Sequence, residues 1–219
     1  TNPNLQNITI INMRSFYTFI IHFYTCLIYL AKFVGNKKAK AWCDGRKHQW
    51  DTLKSDNPND KWLWMHVASL GEFEQGLPIL EALKKDYPQY KLLLTFFSPS
   101  GYEIKKDCPL ADKVAYLPID TVGNAQKLIR NFKFKAVFFV KYEFWFNYIK
   151  VLKDHRIPLF YISTLLRPNQ YFFKPWGKWF RNHFKKVKFF FTQNKETANL
   201  LFKMGIENIT IAGDIRFDR

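Results

Sequence analysis

Paired cysteines are missing from this chain. Cys26, Cys43 and Cys108 are odd in number and widely separated, which argues against a disulfide framework and against a CxxC redox or zinc motif, and suits a reducing cytoplasm. His22, His48, His66, His155 and His183 never fall at HxxxH or HExxH spacing, so the sequence offers no metal site and each histidine reads as structural. A Walker loop and a GxGxxG fingerprint are both absent, which leaves nucleotide-phosphate binding by this stretch without support. Acidic residues are scarce: 18 Asp and Glu face 34 Lys and Arg, for a net charge of +16. That imbalance favours a polyanionic partner, whether nucleic acid, an anionic membrane surface or a phosphorylated substrate. No RNP, KH or zinc-knuckle signature supports the nucleic-acid option, and no nucleic-acid partner is expected.

Aromatic residues, by contrast, are plentiful, with 23 Phe, 11 Tyr and 7 Trp making 19% of the chain. Mixed with lysine and arginine they suit a membrane interface, and they also suit a core. Residues 16–34, FYTFIIHFYTCLIYLAKFV, form one apolar run interrupted by His22 and Lys32. Its length is close to the ~20 residues that cross a bilayer, so it reads either as a span or as a helix lying on the surface. Lys37, Lys38, Lys40, Arg46 and Lys47 follow it, a basic cluster that would hold the next domain on the cytoplasmic side.

Beyond Lys61, short apolar runs alternate with helical patterns: WLWMHV (62–67), KLLLTFF (91–97), VAYLP (114–118), AVFFV (136–140), PLFYIS (158–163), KFFFTQ (188–193) and ITIAG (209–213). Helical spacing marks 77–87, 122–132, 144–155 and 195–204 between them. The alternation predicts an α/β fold, a doubly wound, Rossmann-like parallel sheet, with ligands at the carboxyl ends of the strands. The loops there carry the candidate chemistry. In HVASLGEFEQG (66–76), Glu72 sits near a helix start and is either a general base or a helix cap. Pro78 suits a first helical turn, so 69–75 is expected to be an irregular approach to the helix. TFFSPSG (95–101) offers Ser98, Ser100 and Gly101 as an anion or sugar cradle, with Ser98 as a plain N-cap the alternative. In VKYEFWFN (140–147), Lys141 and Glu143 either meet substrate or pair with each other. GDIRFD (213–218) supplies Arg216, a forked cation for phosphate or carboxylate. The basic-aromatic run 171–188 offers Lys174, Trp176, Lys178, Trp179, Arg181 and Lys185 as a face for anionic headgroups.

Taken in order, ASLGEFEQG (68–76), LTFFSPSG (94–101), YLPID (116–120), KYEFWFN (141–147), FFKPWGKWFR (172–181) and GDIRFD (213–218) resemble the Kdo (3-deoxy-D-manno-octulosonic acid) transferases. The resemblance implies an inverting GT-B glycosyltransferase that moves Kdo from CMP-Kdo to lipid A precursor at the cytoplasmic face of the inner membrane, with no cofactor and no metal in the transfer site. Glu72 matches the family's proposed general base, with Ser69 and Gly71 in its loop as acceptor contacts. Arg216 stands where many relatives have Lys in a GSLKFD-like block. Lys141 stands where many have the first Glu of an ETELWP-like motif, leaving Glu143 as the acidic residue. The family carries a second Rossmann-like domain with most of the CMP contacts, so this chain is expected to be the acceptor-side half and inactive alone. The expected organisation is a disordered or extraneous 1–12 ahead of a candidate start at Met13, then a membrane-associated helix (13–36) and a basic connector (37–60). The acceptor-binding domain (61–213) and the start of a linker (214–219) complete it. The rival reading is a non-catalytic module that binds membranes or anionic lipids.

Overall fold

A computed structural model of the chain describes residues 3–214, with side chains from Met13 onward. Each apolar run expected to be a strand is one: β1 (Lys61–Val67), β2 (Lys91–Phe96), β3 (Lys113–Tyr116), β4 (Lys133–Val140), β5 (Leu159–Thr164), β6 (Phe189–Thr192) and β7 (Ile209–Ile211). They pair in parallel, in the order β3-β2-β1-β4-β5-β6-β7. Helices α4 (Leu70–Asp86), α5 (Pro99–Lys105), α6 (Val122–Asn131), α7 (Phe146–Asp154), α8 (Lys178–Phe184) and α9 (Lys195–Lys203) make the crossovers, giving the expected α/β architecture. The two-residue period of a strand divides β1 between two cores: Trp62 and Trp64 join one cluster, Leu63, Met65 and Val67 the other. A parallel sheet covered on both faces needs such uninterrupted apolar strands.

Three boundaries differ from the sequence reading. Helix α1 (Pro3–Phe33) begins well before Met13, with proline in its first turn, where the missing N–H costs nothing. It stops at Gly35, whose φ of 86° admits the left-handed residue of a Schellman turn: Asn36 N–H bonds Ala31 O and Gly35 N–H bonds Lys32 O. Residues 37–60 are not a bare connector. They hold α2 (Lys37–Gly45), capped by Asn36, and α3 (Gln49–Thr52), and they bury Trp42, Cys43 and Leu53. Finally, α4 starts at Leu70 rather than after an irregular segment, and Pro78 lies within it. The Ser69–Glu72 capping box starts the helix upstream, and packing of Phe73, Gln75, Gly76 and Leu80 against the sheet overrides the proline.

Helix α1 is tied to this body at its middle and near its carboxyl end. Tyr17 Oη donates to Asp120 Oδ2 at 2.6 Å, Asn147 Nδ2 donates to Thr18 Oγ1 at 3.3 Å, and Lys32 pairs with Asp44 of α2 at 2.8 Å. The Tyr17 ring packs edge-on against Phe146, centroids 5.3 Å apart, and lies 5.6 Å from Trp179. Its outward side carries Phe16, Ile20, Phe23, Leu27 and Leu30, each more than two-fifths exposed and spaced three or four residues apart.

Candidate functional site

In an open doubly wound sheet the crevice for a ligand lies outside the carboxyl ends of the strands where the order reverses, here between β1 and β4. Both acidic candidates lie there, Glu72 at the start of α4 after β1 and Glu143 in the turn after β4. Ser69 N–H and Ser69 Oγ both donate to Glu72 Oε2, at 2.9 and 3.2 Å. The cap and the candidate base are thus the same carboxylate: Oε2 fixes its position, while Oε1 has no hydrogen-bond donor among the described residues. Burial pushes the Glu72 pKa up and the negative charge of Glu143 pushes it further, against the lowering effect of the Ser69 bonds. The result is a half-buried carboxylate more basic than an exposed one.

Glu143 is positioned by a histidine that the sequence reading treated as structural. His66, fully buried at the carboxyl end of β1, has Nε2 3.3 Å from Glu143 Oε2 and Nδ1 3.1 Å from Thr95 O and 3.0 Å from Thr95 Oγ1. Trp145 Nε1–H also reaches His66 Nε2, at 3.1 Å. A neutral imidazole with its proton on Nδ1, shared with Thr95 O, accepts the Trp145 N–H but leaves Glu143 facing a lone pair. The Glu143 contact becomes favourable only when a proton sits between the carboxylate and Nε2. His66, Trp145 and Glu143 therefore form one contact cluster within electrostatic reach of Glu72. Its one legible signal was position: His66 ends the first strand, immediately before the loop.

Lys141 and Glu143 make no ion pair among the described residues; Glu143 pairs with His66 instead. Lys141 adopts φ 60°, a left-handed backbone costly for a non-glycine residue and typical of turns under functional constraint. Gly71 is exposed in the first turn of α4, with open space where a Cβ would stand. Ser98 and Ser100 share a hydrogen bond of 2.7 Å at the start of α5, where Pro99 removes one amide from the first turn. Gly101 is a correction: it is buried, and a Cβ there would lie 2.7 Å from the Phe96 ring and 3.0 Å from Leu70 N. It allows α5 to approach α4, a packing role rather than a substrate contact. Gln75, fully buried, donates from Nε2 to Asp214 Oδ1 at 3.5 Å and so holds Asp214 beside α4. Arg216 lies outside the described residues.

In the basic-aromatic run, Lys174, Trp176, Lys178 and Lys185 are exposed, Trp176 by 59%. Trp179 is a second correction, because it is buried against Phe146, Phe180 and His183 instead of facing outward. At this point α8 turns its indole inward to cover the core under Tyr17. Arg181 is half-buried and donates to Phe172 O and Lys174 O, fixing the run's backbone.

Comparison with known proteins follows the same outline. The family model described as "3-Deoxy-D-manno-octulosonic-acid transferase (kdotransferase)" matches residues 43–219. The 3-deoxy-D-manno-octulosonic acid transferase of Aquifex aeolicus is 38% identical over 96 residues, 43% of this chain and 26% of that protein. That of Chlamydophila psittaci is 27% identical over 161 residues, 70% of this chain and 36% of that protein. The chain thus spans about a quarter to a third of the length of these curated relatives. Among solved structures, UDP-GlcNAc 2-epimerase from Neisseria meningitidis bound to UDP-GlcNAc aligns with TM-score 0.53 at 17% identity, covering 72% of this chain and 48% of that one. The Rickettsia bellii UDP-N-acetylglucosamine 2-epimerase aligns with TM-score 0.55 at 14% identity, over 73% and 46% of the two chains. These two share the fold.

Proposed function

This chain belongs to the 3-deoxy-D-manno-octulosonic-acid transferase family, and from that premise we propose that it is the acceptor-side half of an inverting glycosyltransferase moving Kdo from CMP-Kdo to a phosphorylated lipid A precursor. The observation that carries the reading is Glu72: anchored through one oxygen, open at the other, made more basic by burial, and set at the switch point of the sheet. Its Oε1 takes the proton of the acceptor hydroxyl as that oxygen attacks the anomeric carbon of Kdo. The bond from that carbon to the CMP phosphate breaks, CMP leaves from the opposite face, and the configuration inverts. Glu143, positioned by His66, keeps negative charge near Glu72 and so keeps it a competent base. Lys141 at the crevice and Arg216 near the end of the chain are the cations that meet transferring charge, with CMP held by residues of the complete enzyme beyond this chain. Ser69, Ser98 and Ser100 face the acceptor sugar.

The membrane assignment rests on α1 and on exposed Lys174, Trp176, Lys178 and Lys185. The stretch Met13–Phe33 is long and apolar enough to cross a bilayer. In this reading α1 instead lies along the cytoplasmic face of the inner membrane, its exposed aromatic and aliphatic stripe among the acyl chains. Glu72→Gln in the complete enzyme tests the chemistry. Transfer from CMP-Kdo should fall ~10²–10⁴-fold, the usual cost of losing a general base, with folding unchanged. Near-normal turnover would remove Glu72 from the mechanism.

A further inference from the structure

An open groove of about 440 Å³ runs between α1, α2 and the loop joining β2 to α5. Tyr24, Leu27 and Ala31 of α1 form one wall, with Trp42, Phe97 and Pro99 opposite. Leu27 belongs also to the exposed apolar stripe of α1, so the groove opens onto that stripe. At its other side Phe97 packs on Trp145, centroids 4.9 Å apart, and Trp145 donates to His66. The groove therefore lies between the apolar stripe of α1 and the Trp145–His66 cluster, with the Phe97 ring as its wall on the crevice side.

Its far wall is held rigidly. Arg46, buried and with no carboxylate partner among the described residues, lies 3.8 Å from the Trp42 ring and 5.0 Å from the Phe97 ring, and donates to Phe97 O at 2.7 Å. A guanidinium in contact with both rings and bonded to the loop backbone, with the rings themselves packed edge-on at 6.0 Å, orders this wall before any ligand arrives. Two features point to an amphiphile rather than a plain hydrocarbon. Lys38 lines the groove, with Lys37 and Lys40 exposed on the same helix, a cationic rim complementary to phosphate. The buried indole N–H of Trp42 has no acceptor among the described residues, and an ester carbonyl suits it.

We infer that this groove holds one acyl chain of the phosphorylated lipid acceptor, leading it from the membrane to the crevice. The inference rests on the acceptor reading above and adds where the lipid lies. Binding of dodecyl phosphate, below its micelle concentration, to the 219-residue chain tests it, with inorganic phosphate as the second probe. Ala31→Trp fills the groove yet adds apolar surface to α1. Occupation of the groove predicts at least tenfold weaker dodecyl phosphate binding in this variant, whereas mere partitioning onto apolar surface predicts equal or tighter binding. Leu27→Ser, at an exposed position, should also weaken it several-fold. Inorganic phosphate should bind parent and both variants alike, and weakly. If either variant binds dodecyl phosphate like the parent, or inorganic phosphate competes equally well, the groove is not an acyl site. The transfer assay is a separate arm: a complete enzyme that transfers no Kdo, while the chain binds dodecyl phosphate in the groove, sinks the acceptor reading and leaves the groove standing.

Discussion

Replacing Tyr17 by Phe removes one hydroxyl and leaves the ring that packs on Phe146 and Trp179. The hydroxyl donates to Asp120 Oδ2 at 2.6 Å, and among the described residues this fully buried carboxylate otherwise accepts only from the backbone amides of Asn147 and Tyr148, at 3.1 and 3.0 Å. Burial raises the Asp120 pKa to about 6 against the pull of those bonds. At pH 7 the group is mostly ionised, and loss of a hydrogen bond to a charged group costs about 1.5–3 kcal/mol. The carboxylate has an escape, because taking up a proton from pH 7 costs only about 1.4 kcal/mol per pKa unit. The expected loss is therefore about 1.5–2 kcal/mol at pH 7, and at pH 5, where Asp120 is already protonated and the lost bond is neutral, about 1 kcal/mol. With a urea m-value of about 1–3 kcal/mol/M, the midpoint at pH 7 should fall by roughly 0.5–2 M. Urea unfolding of parent and variant at both pH values measures it, and amide exchange along α1 should rise in the variant. An unchanged midpoint at both pH values, or a larger loss at pH 5, would show that Asp120 does not anchor α1.

Two further outcomes follow from burial. Because the folded pKa of Asp120 lies above its unfolded value of 3.8, the native state holds this proton more tightly, so its contribution favours folding at low pH and is lost as pH rises from about 4 to about 6. Relative to Asp120→Asn, the parent should thus lose about 3 kcal/mol across that window and no more above it, read from urea midpoints every half pH unit. Trp179→Ala should cost about 3–5 kcal/mol and leave vesicle binding per folded molecule unchanged, whereas Trp176→Ala should cost under about 0.5 kcal/mol and weaken binding to anionic vesicles. The reverse pattern, read from thermal melts and co-sedimentation, would return Trp179 to the surface.

The strands were legible because each is a short apolar run between helical patterns, with β1 and β2 apolar enough to be buried on both faces, and the loops after them followed from the rule that ligands gather at carboxyl ends. The cap role of Glu72, one of its two sequence readings, is the one the structure shows, and the spacing of Ser69 and Glu72 is that of a capping box. What escaped was set by tertiary contact. Trp176 and Trp179 are three residues apart in one basic-aromatic run, yet Tyr17, 162 positions upstream, decides that Trp179 turns inward. Gly101 read as a ligand-facing glycine because only the structure shows the Phe96 ring against it. His66 and Asp120 looked ordinary, one ending a strand and one in a YLPID turn; their partners Glu143, Tyr17 and Asn147 come from elsewhere in the chain. The basic segment 37–60 concealed Trp42 and Arg46, since charge hid its buried face.

The proposed interfacial placement of α1 rests on Asp120 more than on hydropathy. Met13–Phe33 contains 21 residues, and at 1.5 Å per residue a helix of that length reaches across a hydrocarbon core of about 30 Å. By length alone it spans. Yet Tyr17 near one end and Lys32 near the other are bonded to the same α/β body, through Asp120 and Asp44. A spanning helix would carry one of these ends to the far side of the bilayer, breaking the Tyr17 bond and stranding a fully buried carboxylate. A helix in the interface plane keeps both attachments and buries Phe16, Ile20, Phe23, Leu27 and Leu30, which otherwise face water. Fully burying one such side chain contributes about 1.5–3 kcal/mol, so even partial immersion of five matches the modest stability of a domain. Under the proposed interfacial placement the bilayer surface would lie along the groove lined by Leu27 and Phe97, on the side of the body that carries the exposed stripe of α1.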